Sequence, residues 1–174
     1  MSDPRYPIGK FSFPETLTLT QCEQFINDIA AAPAALRASV AGLDNTQLDT
    51  PYRDGGWTLR QVVHHVADSH MNSYVRFKLA ATEIDPLIST YQEQHWAELA
   101  DGKSLPVVVS LDLIDRLHER WVVFLKSLSE AELGRTFRHP RLGSVTLAKN
   151  LSLYSWHGLH HIAHITTLRQ QKGW

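Results

Sequence analysis

Four long segments with the hydrophobic periodicity of amphipathic α-helices occupy most of this chain of 174 residues, and connections that contain proline or glycine separate them. The second segment opens with a capping box, in which Thr58 precedes Gln61 by three residues. The pattern predicts an all-α fold, a four-helix bundle with one long crossover loop over residues 83–109, formed by a single domain over residues 1–174. The segments begin near Thr18 or Thr20, at Thr58, near Ser110 and near Thr146, and they end near Leu43, near Thr82, near Leu128 and before Gly173.

Local features within and between the segments lead to more specific expectations. Pro33 lies inside the first segment, where a proline should kink or split a helix. The crossover is predicted to contain one short helical piece around residues 92–99, and residues 134–144 have the turn residues of a small hairpin. The apolar positions of the third segment are predicted to run through Leu113, Leu117, Trp121, Phe124 and Leu125 to Leu128.

The composition argues against several classes of function. The 17 basic and 18 acidic side chains are well mixed and give a formal net charge of −1, so the chain lacks the basic surface of a nucleic-acid-binding protein. Cys22 is the only cysteine, which rules out a disulfide framework and a cysteine-rich zinc site. Residues 1–10 lack the apolar stretch of a signal peptide, and no run approaches the length of a membrane span. We therefore expect a soluble, cytoplasmic protein without nucleic-acid or membrane partners.

The fourth segment contains four closely spaced histidines, His157, His160, His161 and His164. Residues four apart lie on the same helix face, so His157 with His161 and His160 with His164 each present two imidazoles at the spacing by which a helix chelates one metal ion. The apolar stripe of this segment includes His161 and has His157 at its edge, whereas the other two lie further round the helix. The first pair is therefore predicted to face inward as metal ligands, with the second pair as flanking groups.

A simpler interpretation of this pair is that both are core histidines with one hydrogen bond each. Two histidines at this spacing on an inward face are unusual, and burying both without a metal or polar partners would be costly. Gly158 lies between them and costs about 1 kcal/mol relative to alanine inside a helix, which favours close approach of a neighbouring helix or a ligand at this position.

The second segment offers three more histidines, and spacing alone does not choose among them. His70 falls at the centre of the apolar stripe, His65 lies on its shoulder and His64 points further away. Helical phase therefore favours His70 as a third ligand. A helix of a bundle contacts two neighbours, however, so a shoulder position can also face the interior.

Two long motifs resemble the YfiT group of the DinB superfamily. The first is PYRDGGWTLRQVVHHVADSHMN over residues 51–72, and the second is WHGLHHIAHIT over residues 156–166. The opening Tyr6-Pro7-Ile8-Gly9 also matches, so the resemblance covers nearly the whole chain. It implies a four-helix bundle with an up-down-down-up path, a three-histidine metal site and a homodimer.

The resemblance also implies which histidines are the ligands. In the family the ligand on the second helix directly precedes an aliphatic-Ala-Asp sequence, a position that falls on His65. The ligands on the last helix form an H-x-x-x-H pair, which falls on His157 and His161. This implied set agrees with helical phase on the fourth segment and differs from it on the second. The expected cofactor is one divalent metal ion per chain, with Zn²⁺ favoured and Ni²⁺ as the alternative.

Three imidazole ligands leave one coordination position open, which is typical of catalytic metal sites. The resemblance implies a metal-dependent hydrolase that activates water against a small-molecule substrate. Asp68 and His70 follow His65 closely in sequence and are candidates for the general base or for a group that hydrogen-bonds to a ligand, although Asp68 could equally be an ordinary exposed carboxylate of the helix.

Two alternatives to hydrolysis remain open at this stage. The wider superfamily includes enzymes that transfer low-molecular-weight thiols of the bacillithiol or glutathione type, and Cys22 lies too far from either motif to replace such a co-substrate. The remaining hypothesis is a bundle that binds a metal without performing chemistry.

Overall fold

The computed structural model describes residues 3–174, and its principal elements are four long helices that pack as a bundle. Four short helices and one two-stranded antiparallel hairpin lie in the connections. The all-α expectation is therefore confirmed, with the hairpin as a small addition inside the predicted region. The elements in chain order are α1 (Leu19–Val40), α2 (Asn45–Leu48), α3 (Leu59–Thr82), α4 (Glu93–Trp96), α5 (Ala100–Ser104), α6 (Val107–Lys126), α7 (Glu130–Leu133), β1 (Thr136–His139), β2 (Gly143–Thr146) and α8 (Leu147–Lys172).

Local sequence signals determine where the long helices begin and end. Thr58 caps α3 by accepting a hydrogen bond from the backbone N–H of Gln61, whose side chain bonds back to the Thr58 backbone, as the capping box predicted. Thr18 caps α1 in the same way. Gly173 ends α8 in the left-handed conformation at φ 69°, which glycine adopts without strain. Helix α6 begins at Val107, three residues before the predicted start, because Pro106 takes the capping position.

Helix α1 is not split at Pro33 but continues through it to Val40. A proline has no N–H, so the carbonyl four residues earlier, that of Ile29, loses its usual donor within the helix. The imidazole of His118 on α6 replaces that donor, with its Nδ1 atom 2.6 Å from the Ile29 oxygen. The proline therefore leaves a backbone acceptor available to another helix.

Contacts between the long helices establish their directions. Helix α1 runs antiparallel to α6 and parallel to α8, because Asp28 bonds to Ser155 and Arg169 bonds to the backbone of Ser39. Helix α3 runs antiparallel to α8 and parallel to α6. The path is therefore up-down-down-up, with α1 diagonally opposite α3, as the resemblance implied. No helix within residues 3–174 has the length and apolar character needed to cross a membrane.

The crossover between α3 and α6 contains two short helices, α4 and α5, where one helical piece was predicted. Side chains from the start of α3 hold it in place. Gln61 donates to the Ala97 carbonyl at 2.8 Å, and His64 bonds to the Leu105 carbonyl and the Ser110 hydroxyl. The buried Arg60 pairs with Asp49 and also bonds to the Leu105 carbonyl.

The hydrophobic core is divided into two clusters by a layer rich in histidine. One cluster contains Phe77, Trp121 and Tyr154, and the other contains Val62, Ile114 and Ile165. His70 on α3, His118 on α6 and the buried histidines of α8 lie between the residues that belong to the two clusters, and Ala32 and Pro33 occupy the corresponding part of α1. The polar chemistry of this chain is therefore concentrated at mid-height in the bundle.

Gly158 faces α1 within this layer, so the expected close approach of a neighbouring helix is present. A Cβ added at Gly158 would lie 3.4 Å from the Cβ of Ala32 and 3.6 Å from Cε1 of His70, both ordinary contact distances. We expect Gly158→Ala to raise the free energy of unfolding by about 0.5–1 kcal/mol, because alanine has the higher helix propensity. Urea denaturation measures this change. Gly158→Leu is the contrast variant and should cost about 1–3 kcal/mol through overpacking. A loss of stability in the alanine variant would contradict the expectation.

Candidate metal centre

His65, His157 and His161 form a compact cluster between α3 and α8. One nitrogen of each imidazole lies within 4.8 Å of the corresponding nitrogens of the other two. The ring centroids of His157 and His161, one helical turn apart, are separated by 4.5 Å, and His65 lies 4.8 Å from His161 and 5.4 Å from His157. The structure thus brings together the three histidines that the resemblance implied as ligands.

Burial keeps all three imidazoles neutral at physiological pH. His65 and His161 are buried, while His157 remains partly exposed to the adjoining cavity. Desolvation lowers the pKa of His65 to about 3, and the positive charges that His160 and His164 would carry contribute further. Desolvation likewise lowers the pKa of His157 and of His161 well below 6.5. Neutral imidazole is the form that coordinates a metal ion, so the cluster has its lone pairs available at pH 7.

A cavity of about 310 Å³ opens beside the cluster. Aromatic rings from Tyr52, Trp57 and Trp156 form part of its wall, together with the N-terminal residues Arg5 and Tyr6. The indole of Trp57 packs against His65 with 4.6 Å between ring centroids. A cavity of this size accommodates a small molecule, and its mixture of aromatic surface with a few polar groups is typical of a ligand site.

The loop before α3 places a cation in the cavity wall. Arg53 donates to the backbone oxygen of Asp54, and its guanidinium lies 5.4 Å from the centroid of the Tyr52 ring. Within residues 3–174, Arg53 forms no ion pair with a carboxylate. A Cβ at Gly56 would lie 2.7 Å from Cγ of Arg53, so a glycine is required there for the arginine to adopt this position.

The predicted flanking histidines, His160 and His164, line the cavity and are buried. His164 stacks on Tyr52 at 4.1 Å, and its Nε2 atom lies 3.3 Å from the backbone oxygen of Arg5. Its Nδ1 atom lies 3.4 Å from Nδ1 of His161. His160 stacks on Trp156 at 4.2 Å. These residues surround the three-histidine cluster without belonging to it.

His70 is fully buried, as its helical phase predicted, but it lies behind the cluster and does not line the cavity. Its Nε2 atom is 3.2 Å from Nδ1 of His157, and its Nδ1 atom is 2.8 Å from Nε2 of His118. The sequence analysis did not identify His118 as a partner of His70. His118 begins a His-Glu sequence like that of a zincin helix, but the second histidine of that motif is absent. Its helical spacing from Leu111 and Ile114, which share the buried face of α6, is the signal that could have identified it.

Among the residues that line the cavity, Glu93 at the start of α4 carries a carboxylate. The sequence analysis did not name it as a candidate for the general base. Asp68 does not line the cavity. Partial burial, with a smaller contribution from Asp101, raises the pKa of Asp68 to about 6. The suggestion that Asp68 is the general base stays a prediction, and its position outside the cavity does not favour it.

Known proteins resemble this chain over its full length. The family model of the DinB superfamily matches residues 28–165. The chain belongs to the DinB superfamily. A protein of Bacillus mycoides (strain KBAB4) is 55% identical over 174 residues, which is 100% of both chains. A protein of Oceanobacillus iheyensis is 51% identical over 170 residues, which is 98% of both chains. Each of these DinB relatives carries a name that proposes a metal-dependent hydrolase.

Two solved structures agree with the fold described above. YfiT from Bacillus subtilis superposes with a TM-score of 0.96 and is 48% identical, with 98% of each chain covered. That protein is described as a proposed metal-dependent hydrolase with an unusual four-helix bundle topology. A second four-helix bundle protein, TT2238, superposes with a TM-score of 0.56 at 20% identity over 88% of this chain and 99% of its own, a likeness that concerns the fold alone.

The chemistry of the cluster fits a divalent transition-metal ion. Three neutral imidazoles on two packed helices suit zinc, nickel, copper or iron, whereas magnesium and calcium prefer oxygen ligands. The three nitrogens already lie close enough for one ion to contact all of them after small side-chain adjustments. Two of the three imidazoles are buried, and polar groups gathered in this way are costly to maintain without a partner such as an ion. The residues present therefore fit a metal ion of this class.

Proposed function

We propose that this protein is a metal-dependent hydrolase in which His65, His157 and His161 hold one zinc or nickel ion and the substrate is a small molecule. The observation that carries this proposal is the set of three neutral imidazoles, with nitrogens within 4.8 Å of one another, beside a cavity of about 310 Å³. Relatives that share more than half of the sequence are named as proposed metal-dependent hydrolases, which supports the same class.

The donor set supports catalysis rather than a structural role for the ion. Within residues 3–174 the cluster offers three histidines and no fourth protein ligand, and structural zinc sites normally have four. When bound, such an ion acidifies water and polarises a carbonyl or phosphoryl oxygen. The Nδ1 atoms of His157 and His161 contact His70 and His164, respectively. An ion held by these two residues would therefore be bound through their other ring nitrogens.

The cavity wall suggests how a substrate would be held. The ring of Trp57 packs on His65 and excludes water from one side of the cluster, while the ring of Tyr52 packs on the neighbouring His164. Glu93 provides a carboxylate that can accept a proton. The guanidinium of Arg53, which forms no ion pair with a carboxylate of residues 3–174, favours substrates that carry a carboxylate or phosphate group.

A substrate panel tests this proposal. Carboxylic esters, amides and phosphate esters, each in neutral and anionic versions, are incubated with the metal-loaded protein, the metal-free protein and His161→Ala. We expect hydrolysis by the loaded wild type alone, and a lower KM for anionic substrates. Arg53→Gln should raise KM for the anionic substrates by about tenfold, the value of one charge-assisted hydrogen bond, with kcat unchanged.

The same panel separates hydrolysis from its rivals when a low-molecular-weight thiol and an electrophile are added in parallel. Turnover only in the presence of the thiol would assign a thiol transferase and overturn the hydrolase proposal. The thiol must come from solution, because burial raises the pKa of Cys22, which lines other cavities beside Leu133. Metal binding without turnover in either arm would leave a non-catalytic bundle.

A further inference from the structure

A chain of hydrogen bonds between histidines connects the cluster to the backbone of α1. It begins at the Ile29 carbonyl, which Pro33 deprives of its donor within the helix, and reaches Nδ1 of His118 at 2.6 Å. A carbonyl oxygen can only accept, so Nδ1 of His118 must carry a hydrogen. Burial lowers the pKa of His118 to about 4, so the ring is neutral and its Nε2 atom has a lone pair.

The next two contacts then have only one allowed direction. The lone pair on Nε2 of His118 lies 2.8 Å from Nδ1 of His70, which must therefore be the donor. His70 is fully buried, and a neutral imidazole that carries its hydrogen on Nδ1 has a lone pair on Nε2, so that atom is an acceptor. It lies 3.2 Å from Nδ1 of His157. His157 therefore carries its hydrogen on Nδ1 and its lone pair on Nε2, where the Ser69 hydroxyl lies 3.3 Å away and is the donor.

A second, shorter chain leads to the other ligand on α8. Nε2 of His164 lies 3.3 Å from the backbone oxygen of Arg5, so it carries the hydrogen. His164 is buried, and a neutral imidazole that carries its hydrogen on Nε2 has a lone pair on its Nδ1 atom. That atom lies 3.4 Å from Nδ1 of His161, which must donate to it. His161 therefore also has its lone pair on Nε2, although this longer contact is the weaker of the two.

We propose that these two chains of hydrogen bonds fix His157 and His161 in the Nδ1–H tautomer, so that the Nε2 lone pair of each is available to the metal ion. His70, His118 and His164 are then positioning residues, because they set the tautomer of the two ligands without contacting the ion. This inference rests on the proposed metal site. Both chains end on backbone carbonyls, which cannot reverse the direction of donation. Hydrogen-bonded partners of this kind orient a ligand imidazole and raise its basicity, and their loss typically costs about 10–100-fold in metal affinity.

The two carbonyl groups at which the chains end belong to parts of the protein that contribute no metal ligand. The carbonyl of Ile29 lies on α1, and that of Arg5 lies in the N-terminal segment before α1. Packing of these two elements therefore acts on the cluster through hydrogen bonds. The proline in α1 has a role in this arrangement, because it frees the acceptor on which the longer chain depends.

Nitrogen-15 NMR of the metal-free protein tests the tautomers directly at pH 7.5. The two ring nitrogens of a neutral imidazole give distinct signals, according to whether they carry hydrogen or a lone pair. We expect a protonated Nδ1 on His118, His70, His157 and His161, and a protonated Nε2 on His164. A protonated Nε2 on His157 or His161 would overturn the proposal. This measurement needs neither a variant nor a bound ion, so it can fail independently of the proposed function.

A matched pair of variants tests the effect on the metal. His70→Gln keeps an amide oxygen that can accept from Nδ1–H of His157, whereas His70→Leu removes the acceptor. Competition with a chromophoric chelator for Zn²⁺ is expected to show affinity about 10–100-fold weaker in His70→Leu and within a few-fold of wild type in His70→Gln. His64→Gln is the control, because His64 is buried on the same helix but bonds to Ser110 and Leu105. Equal affinity in the two His70 variants would contradict the positioning role.

Discussion

His161→Ala is expected to lose the bound metal ion that the wild-type protein should contain at about one per chain. His65→Ala and His157→Ala should behave in the same way, because each removes one of only three protein ligands. A four-ligand zinc site contributes about 10–16 kcal/mol of binding free energy, so one ligand accounts for roughly 3 kcal/mol, or more than a hundredfold in Kd. Mass spectrometry of metal content measures this loss in protein purified without a histidine tag or chelating resin, and then equilibrated with equimolar Zn²⁺.

Two other histidine variants are the controls for this experiment. His95→Ala removes an exposed histidine of α4 and should leave the metal content unchanged. His70→Ala removes a positioning residue, so it should bind more weakly while still reaching near one ion per chain at higher Zn²⁺ concentration. Loss of the ion in His70→Ala together with its retention in His65→Ala would contradict the ligand assignment on α3. No ion in the wild type, with either zinc or nickel, would refute both the metal site and the proposed hydrolase.

The second large effect is an expected loss of stability of the metal-free protein as pH falls from 7 to about 4.5. In the unfolded chain a histidine binds a proton near pH 6.5, whereas burial prevents this in the folded protein until the pH is much lower. Unfolding therefore takes up protons in this range, and the free energy of unfolding decreases as pH falls. The histidines with strongly lowered pKa are His65, His70, His118, His157, His160, His161 and His164.

The number of these residues makes the effect large. Well below pH 6.5 each one reduces the free energy of unfolding by about 1.4 kcal/mol per pH unit, so all of them together give roughly 10 kcal/mol per unit. A typical domain has a total stability of about 5–15 kcal/mol, so the metal-free protein should unfold cooperatively before its carboxylates other than Asp68 titrate. Urea denaturation at pH 7.5, 6.5 and 5.5, followed by tryptophan fluorescence and circular dichroism, measures the decrease.

Two comparisons make the acid experiment specific. The exposed-site variant His95→Gln should show the same pH dependence as the wild type. Added Zn²⁺ should shift the acid transition to lower pH, because an ion that binds only the folded protein stabilises it and competes with protons for the ligands. A free energy of unfolding that stays constant between pH 7.5 and 5.5 would show that the histidines titrate alike in both states.

Local signals in the sequence predicted helix ends well, and tertiary packing decided the faces that helices present. The capping box of Thr58 and Gln61 and the glycine at position 173 operate through neighbouring residues alone, so they could be recognised directly. On α6 the predicted apolar positions Trp121 and Leu125 are buried, but Leu113 is 45% exposed while Leu111 and Ile114 are buried in its place. Exposed apolar residues such as Val109 and Leu113 widen the apolar stripe of α6 beyond its buried face, so periodicity did not locate the edge of that face.

The sequence by itself determined the long helices, the capping of their ends and the spacing of the His157–His161 pair on α8. All of these depend on relations between residues at most four positions apart, which a helix provides wherever it lies. Helical phase favoured His70 and the family resemblance implied His65, and the tertiary structure brings His65 to that pair. Only the tertiary structure decided that His118 continues the chain from His70 and that Glu93 reaches the cavity. These relations depend on how α3, α4, α6 and α8 are rotated and offset against one another, and packing across the whole core sets those rotations.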